Sequence, residues 1–235
     1  MRNACCVKRR NPLSSTRAST QYEVRRLGAN TILEAQPISQ STTLLQKIAK
    51  GLRIIVGRLR EQGAGTTALW FIERTYRILS GVSPARTSRV APNLYVGGQH
   101  KRRGLKTMAA RGITACVDLR REYGDAAHSL ALERHLSLPT DDDNTPTIDE
   151  LQRAAEFIRQ SLAEGRGVYI HCANGVGRAP TTAAAYLITT GLTPAQAWAT
   201  LRKVRPFIRP TAVQREQIEQ FARSVGRRPE VGGLN

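Results

Sequence analysis

Apolar and polar residues follow two different periods in the second half of the chain. Short apolar runs of the kind found in buried strands occur at 94–96, 113–119, 136–139 and 168–170. Apolar residues recur at spacings of three and four, typical of helices, at 105–111, 147–164, 179–190, 194–204 and 211–225. Thr147 and Glu150 form a capping box at the start of the second of these helices. Strands that alternate with helices predict an α/β fold, with a mostly parallel central sheet and helices on both faces.

The segment before this region has a helical pattern of its own. From 44 to 61, apolar residues recur at helical spacing and basic residues lie largely on the other face, which predicts a cationic amphipathic helix. Gly63 and Gly65 end it, and residues 67–79 predict a second helix that forms a hairpin with the first. We expect the apolar stripe to pack on the domain that follows. The alternative is that residues 44–61 lie on an anionic membrane surface.

These patterns divide the chain into four parts. Residues 1–43 lack periodicity and are rich in Arg, Ser and Thr, which predicts a disordered basic tail or, alternatively, an organelle transit peptide. Residues 44–88 form the helical extension and a linker, 89–226 the α/β domain, and 227–235 a second tail. The uncharged stretch 179–201 is interrupted by Pro180, Gly191 and Pro194, so it predicts two helices rather than a membrane span.

The formal charge of +18 is concentrated in the first part of the chain. Residues 1–90 hold 16 Lys or Arg against 4 acids, and residues 91–235 hold 20 against 14. Such a field favours anionic partners, namely phosphorylated substrates or an acidic membrane surface. Nucleic acid is not favoured, because no basic patch interleaved with aromatic residues is present.

The chemistry of the chain is concentrated at 168–181. The apolar run Val168–Ile170 ends in His171-Cys172, then five residues with two glycines lead to Arg178 and a helix. A loop that opens a helix directs backbone N–H groups and the positive end of the helix dipole inward, which makes an anion site. At its mouth Cys172 is expected to be a thiolate, the nucleophilic form, and the planar fork of Arg178 suits two phosphate oxygens.

The other cysteines do not suggest a metal site or a disulfide framework. Cys5 and Cys6 are adjacent, and no spacing among the four cysteines matches a zinc site. Cys116 is expected to be buried and inert in a strand, with a redox partnership to Cys172 as the less favoured alternative. A thiol enzyme needs a reducing compartment, so we expect a cytoplasmic protein, peripheral to a membrane if residues 44–61 bind one.

The motif His171-Cys172-x-x-Gly175-x-x-Arg178 resembles the signature loop of the cysteine-dependent protein tyrosine phosphatases. The short domain around it, from about Val90 to Ser224, is similar to the dual-specificity branch. The resemblance implies that Cys172 attacks phosphorus, with no metal or other cofactor. It also implies that His171 supports the loop, and that Arg178 and the loop amides bind the phosphate, through Ala173, Asn174, Gly175, Val176, Gly177 and Arg178.

A general acid is also required, because the leaving oxygen must be protonated and water later deprotonated. The run Asp141-Asp142-Asp143 follows a predicted strand about thirty residues before Cys172, where the resembled family has its acid loop. Asp142 matches the family spacing best and Asp141 next, and Asp143 is a candidate supporting acceptor. Asp118, Arg120 and Arg121 end another strand, where they would either line the cleft or form a solvated face.

The resemblance implies a phosphatase that forms a phosphocysteine intermediate. Its expected substrates are proteins that carry phosphotyrosine, phosphoserine or phosphothreonine, and the alternative is a lipid phosphate or a sugar phosphate. One departure stands out: Ala179 replaces the Ser or Thr that usually follows the arginine and stabilises the departing thiolate. That change should slow breakdown of the intermediate, and it leaves open a phosphate-binding adaptor without turnover.

Overall fold

The computed structural model describes residues 44–226, without the side chains of 44–48 and Lys50. The predicted tails 1–43 and 227–235 lie outside the described residues. The helices are α1 (Leu44–Ser80), α2 (Arg102–Ala110), α3 (Ile148–Ala163), α4 (Arg178–Thr189), α5 (Pro194–Val204) and α6 (Ala212–Gly226). The strands are β1 (Arg89–Ala91), β2 (Leu94–Gly98), β3 (Ile113–Arg120), β4 (Arg134–Thr140) and β5 (Gly167–Cys172).

The five strands form one sheet in the order β1-β2-β5-β3-β4. Strands β2, β5, β3 and β4 are parallel, and only the short edge strand β1 is antiparallel. The capping box at Thr147 and Glu150 is present at the start of α3. The predicted α/β fold is therefore confirmed, and its central strand is the one that ends in Cys172.

The two faces of β5 belong to two separate apolar cores. Val168, Ile170 and Cys172 lie in the large core beneath α3 to α6. Tyr169 points the other way, into a smaller core that also contains Met108 of α2. This alternation is the two-residue period of a strand, and it places Cys172 on the same face as α4, which begins six residues later.

Helix α1 is interrupted at Gly63, which has a φ of 79° and a ψ of 169°. The guanidinium carbon of Arg58 lies 4.4 Å from the centre of the Trp70 ring. In a straight helix these two residues would stand roughly 18 Å apart along the axis. Helix α1 is therefore folded back on itself at Gly63, and residues 44–80 are called the hairpin below.

The expectation that the apolar stripe of 44–61 packs on the following domain is wrong for Leu52, Val56 and Leu59, which are exposed, while Ile55 is half-buried. Leu52 is 58% exposed and Leu59 is 42% exposed. The buried side chains of the hairpin are mostly polar or charged, namely Arg58, Thr67, Glu73 and Arg77, with Trp70. The physical reason is that the domain presents backbone carbonyls and hydroxyls at this contact rather than apolar side chains. Arg58 donates to the Phe207 carbonyl, Arg77 to the Gln99 carbonyl and Ser83 to Glu73.

A candidate active site at the end of the central strand

The loop after β5 encloses the sulfur of Cys172. This residue is only 3% exposed, and its Sγ accepts a hydrogen bond of 3.2 Å from the Gly175 N–H. Gly175 has a φ of 66°, and a Cβ there would lie 2.3 Å from the Gly97 carbonyl carbon. A larger residue would therefore force the loop away from β2, so the close approach of the two segments depends on this glycine.

The loop ends where α4 begins, at Arg178. Ala179 is fully buried and offers no hydroxyl. The Thr181 hydroxyl donates to the Gly177 carbonyl over 2.9 Å and the Thr182 hydroxyl to the Arg178 carbonyl over 3.2 Å. Neither threonine replaces the missing hydroxyl at residue 179, and the Gly175 amide is a donor to the sulfur.

The Arg178 guanidinium is 1% exposed and is fixed from several sides. Nη1 donates to the Thr140 carbonyl at 2.7 Å, and both terminal nitrogens bond the Glu122 carboxylate at 3.0 Å. Burial opposes the charge, but the hydrogen bond to Glu122 and the nearby carboxylates keep the pKa of Arg178 above its ordinary value. The same bond lowers the pKa of Glu122 to about 2, so this pair is ionised at neutral pH.

The three candidate acids point in different directions. An Asp142 carboxylate oxygen lies 3.0 Å from Arg178 Nη2, and its side chain is 74% exposed. Asp141 instead pairs with Arg121 at 2.7 Å on the surface. Asp143 lines the same cavity as Cys172, and its carbonyl accepts a hydrogen bond from Thr211. Of the three, Asp142 is the one whose carboxylate meets the Arg178 guanidinium.

His171 is buried behind the loop and is held by two aspartates. Its Nε2 lies 2.8 Å from an Asp125 carboxylate oxygen, and Nδ1 lies 3.9 Å from Asp118. Asp118 in turn accepts from the backbone N–H of Arg120 and of Asp125. Burial disfavours the Asp125 carboxylate, but the His171 hydrogen bond and charge outweigh it and lower the pKa of Asp125 to about 2. An ionised carboxylate therefore orients His171.

Two groups of side chains are close enough to share a cation, His100 with Asp125 and His171, and Cys116 with Asp125 and His135. In the first group, His100 Nε2 contacts the Leu130 carbonyl at 2.9 Å and His171 Nε2 already bonds Asp125. Burial, together with nearby His171, lowers the pKa of His100 to about 4, so it is neutral at pH 7. The first group therefore serves as an internal hydrogen-bond network around the loop.

Sequence reasoning named Asp118 at the end of β3 as a residue of the cleft or of a solvated face, and the structure shows neither. Asp118 is buried and acts on the backbone and on His171. Arg120 and Arg121 engage Glu122 and Asp141, which places them around the site rather than in the loop. Glu122 and Asp125 were missed, because their partners Arg178 and His171 lie far along the chain. The only signal in the sequence was that Glu122 and Asp125 follow a predicted strand closely.

Cys116 is fully buried in the smaller core, on the opposite face of the sheet from Cys172. Burial raises the pKa of its thiol to about 12. The expectation that Cys116 is buried in a strand is confirmed, and its position argues against a disulfide with Cys172.

The open side of the site is a cavity of about 760 Å³ that contains Cys172 on its wall. Loop residues Asn174 and Val176 contribute to it, and so do Ile54 and Arg58 of the hairpin. Arg74 of the hairpin also donates to the Asn174 side chain over 2.6 Å. The hairpin is therefore part of the wall of the site, which sequence reasoning did not predict.

The sheet, the loop and the buried arginine define a cysteine-based phosphatase site. Residues 94–224 match the model of a protein family, the dual specificity phosphatase catalytic domain. The chain belongs to this family and carries the catalytic domain of a cysteine-based phosphatase. The match begins after the hairpin.

Among the curated relatives, one is named as a protein phosphatase and another as a phosphatase of a lipid. Dual specificity protein phosphatase 22-B of Danio rerio is 29% identical over 136 residues, covering 57% of this chain and 73% of its own length. Phosphatidylglycerophosphate phosphatase PTPMT2 of Arabidopsis thaliana is also 29% identical over 136 residues, covering 55% of this chain and 60% of its own length.

The fold is also similar to solved structures. PTPMT1 in complex with PI(5)P superposes with a TM-score of 0.54 at 22% identity, covering 58% of this chain and 94% of that one. Human DUSP28 superposes with a TM-score of 0.52 at 22% identity, covering 59% and 97%. At this identity the similarity shows the fold.

Proposed function

We propose that this phosphatase hydrolyses phosphomonoesters of membrane amphiphiles, with its hairpin lying on the bilayer. The observation that supports this is the apolar outer face of the hairpin. Ten of the eleven large apolar side chains that are exposed among the described residues belong to it: Leu52, Ile54, Val56, Leu59, Leu69, Phe71, Ile72, Tyr76, Ile78 and Leu79. Exposed large apolar side chains concentrated on one segment in this way typically mark an interaction site.

Charge supports a bilayer as the partner of this surface. Residues 44–80 contain seven Lys or Arg against two Glu. Cationic helices with an exposed apolar face bind at the interface of anionic membranes through apolar burial and charge together. Within the described part of the chain, no helix is long and apolar enough to cross a bilayer. The exposed apolar side chains and the positive charge of the hairpin are the features on which we base a peripheral mode of attachment.

The position of the hairpin supports an amphiphilic substrate. Ile54 and Arg58 share the cavity wall with Cys172, so the apolar surface continues into the site. A head group could enter the loop while its hydrocarbon stays against the hairpin and the bilayer. The relative named as a phosphatidylglycerophosphate phosphatase is consistent with such a substrate.

In the proposed reaction, the Cys172 thiolate attacks phosphorus and the bond to the leaving oxygen breaks. The backbone amides of 173–178 and Arg178 stabilise the equatorial oxygens, as preorganised dipoles do in a water-poor site. An arriving phosphate replaces Asp142 as partner of Arg178, and the released carboxylate takes a proton from solvent and gives it to the leaving oxygen. Water then attacks the phosphocysteine while Asp142 takes its proton, the S–P bond breaks, and phosphate and the Cys172 thiolate are released. His171 holds the loop through Asp125.

Turnover of an aryl phosphate in the presence of a chelator tests the chemistry. We expect activity that the chelator does not affect and that Cys172→Ser abolishes, because no other thiol lies in the cavity among the described residues. Activity that persists in Cys172→Ser would contradict the proposed nucleophile.

Flotation with vesicles tests whether the hairpin binds a membrane. We compare the full chain with a variant in which Phe71, Ile72 and Leu79 are each changed to Ser, and with Val213→Ser, an exposed apolar residue outside the hairpin. The triple variant should bind anionic vesicles at least tenfold more weakly, since burying each large apolar side chain contributes about 1.5–3 kcal/mol. Equal flotation of all three proteins would refute membrane attachment through the hairpin.

Phosphorylated proteins are the second candidate substrate. The loop side chains Ala173, Asn174 and Val176 are uncharged, and one relative is named as a protein phosphatase. Hydrolysis of phosphopeptides, compared with vesicle-bound lipid phosphate at equal phosphate concentration, separates the candidates. A higher kcat/KM on phosphopeptides would favour this second function.

A further inference from the structure

We infer that the cavity beside Cys172 contains a second anion site, formed around Arg58 of the hairpin, for a phosphodiester carried by the same substrate molecule. This inference rests on the proposed hydrolysis at Cys172 but not on membrane binding. It concerns a residue outside 94–224, the range that matches the family.

The first observation is that Arg58 is a buried cation without an acidic partner. The residue is 4% exposed, and its Nε has no hydrogen-bond partner. Among the described side chains, the ion pairs of this region join Arg209 to Glu61 and Arg178 to Asp142, and none includes Arg58. A buried charge is costly unless it is paired. An anion in the cavity would supply the missing partner.

The second observation is that the guanidinium is held in a fixed plane. Its carbon lies 4.4 Å from the Trp70 ring centre, and Nη1 donates to Gln62 at 2.8 Å and to the Phe207 carbonyl at 3.3 Å. A stacked arginine with a fixed fork loses little freedom when it binds an oxyanion. Arg58 is therefore preorganised as a ligand rather than as a loose surface charge.

The third observation is the local field. The cavity wall carries Arg58, Arg209 and Arg215 together with Glu61, Asp142 and Asp143. Glu61 is taken up by Arg209 and Asp142 by Arg178. Burial and nearby Arg209, with a smaller contribution from Arg74, lower the pKa of Arg58 to about 10, and Glu61 offsets them only in part. Arg58 stays charged at neutral pH, and the neighbouring cations make its surroundings favourable for an anion.

The ligand follows from the position of the two sites in one cavity. The loop at Cys172 takes the phosphomonoester, whose leaving oxygen must face Asp142. A second oxyanion on the same molecule can then meet Arg58 without leaving the cavity. A phosphodiester fits this role, because it is an oxyanion that an arginine can bind and it is not itself cleaved by a phosphomonoesterase.

The test is equilibrium binding to Cys172→Ser protein by calorimetry, which does not depend on turnover. The two probes are a soluble alkanediol monophosphate and the same molecule with a methyl phosphodiester in place of its free hydroxyl. We expect the diester probe to bind about tenfold more tightly, a difference of about 1.4 kcal/mol. Equal affinity of the two probes would overturn the inference.

Variants then assign the preference to a residue. Arg58→Gln should bring the affinity ratio close to one, while Arg60→Gln, an exposed arginine of the same helix, should leave it unchanged. If Arg58→Gln does not fold, Arg58→Lys is the variant to measure, because it keeps the charge but loses the stacked planar guanidinium. The affinity ratio of the two probes should then fall several-fold. A ratio that survives in either Arg58 variant contradicts the site. Loss of aryl phosphate turnover in the parent protein would contradict the proposed hydrolysis instead.

Discussion

The loop at the end of β5 and the hairpin that contacts it differ in which side chains they bury. The surroundings of the loop bury apolar side chains, whereas the hairpin buries charged ones. Around the loop, apolar side chains fill the core and charged groups face the cavity, as in most α/β enzymes. In the hairpin, Arg58, Glu73 and Arg77 are buried against the domain while apolar residues such as Phe71 and Leu79 face outward. This reversal is the observation behind the proposed attachment of the hairpin to a bilayer. The contrast also shows that the hairpin docks through charges and carbonyls.

The largest expected effect concerns the charged contact of the hairpin. Glu73 is 1% exposed, accepts from Ser83 over 2.6 Å and lies 3.5 Å from the buried Arg205. Glu73→Gln should destabilise the protein by roughly 3 kcal/mol, because it leaves a buried guanidinium unpaired. Thermal unfolding should show a fall in Tm of about 6–12 °C.

Glu216→Gln is the matched control, because its pair with Arg223 lies on the surface. Its free energy of unfolding should stay within about 0.5 kcal/mol of that of the parent. If both variants melt alike, the hairpin does not depend on its buried charges and the contrast drawn above is wrong.

The next effect concerns the acid loop. Asp142→Ala should reduce kcat by about a hundredfold on an alkyl phosphate and by much less on an aryl phosphate, since a good leaving group needs little protonation. Asp141→Ala should change either rate little, because Asp141 pairs with Arg121 instead of Arg178. A larger loss in Asp141→Ala than in Asp142→Ala would reverse the proposed assignment.

A smaller effect is expected at Ala179. Ala179→Ser restores a hydroxyl at the position where the family usually has one, so the phosphocysteine should break down several-fold faster. Rapid mixing with an aryl phosphate should show a burst in the parent that shrinks in the variant. A parent that shows one stoichiometric burst and then no turnover would favour the adaptor function over catalysis.

The smallest effect is the pH dependence of the Glu122–Arg178 pair. The pKa of Glu122 is lowered in the folded protein, to about 2, so the pair contributes stability above the ordinary carboxyl range. That contribution is lost as the pH falls from the ordinary glutamate pKa of about 4.3 toward 2. The Tm difference between the parent and Glu122→Gln should therefore be full at neutral pH and shrink in acid. A difference that grows in acid would contradict this sign.

The sequence predicted those parts of the fold that depend on local spacing. The apolar run at 168–170, the glycines of the loop and Arg178 lie within a dozen residues, so their geometry follows from a strand, a tight turn and a helix. The apolar period of α3 and its capping box are local in the same way.

The sequence could not predict contacts between distant segments. Glu122 meets Arg178 and Asp125 meets His171 only because β3 lies beside β5 in the sheet. The periodicity of 44–61 predicted an apolar stripe but not the direction it faces. The orientation of the helix depends on the polar groups that it contacts in the domain. These groups are the carbonyls of Gln99 and Phe207 and the hydroxyl of Ser83.

The hydrogen bond from Arg74 to Asn174 has a practical consequence for anyone who shortens this protein. A fragment trimmed to residues 94–224, the range that matches the family, would keep Cys172 and Arg178, yet it would lose the part of the cavity wall that Arg58 and Ile54 supply. Such a fragment would also lose Glu73, the buried partner of Arg205, so its activity would not report on the selectivity of the intact site. Inhibitor screens should therefore use chains that retain the segment upstream of residue 81.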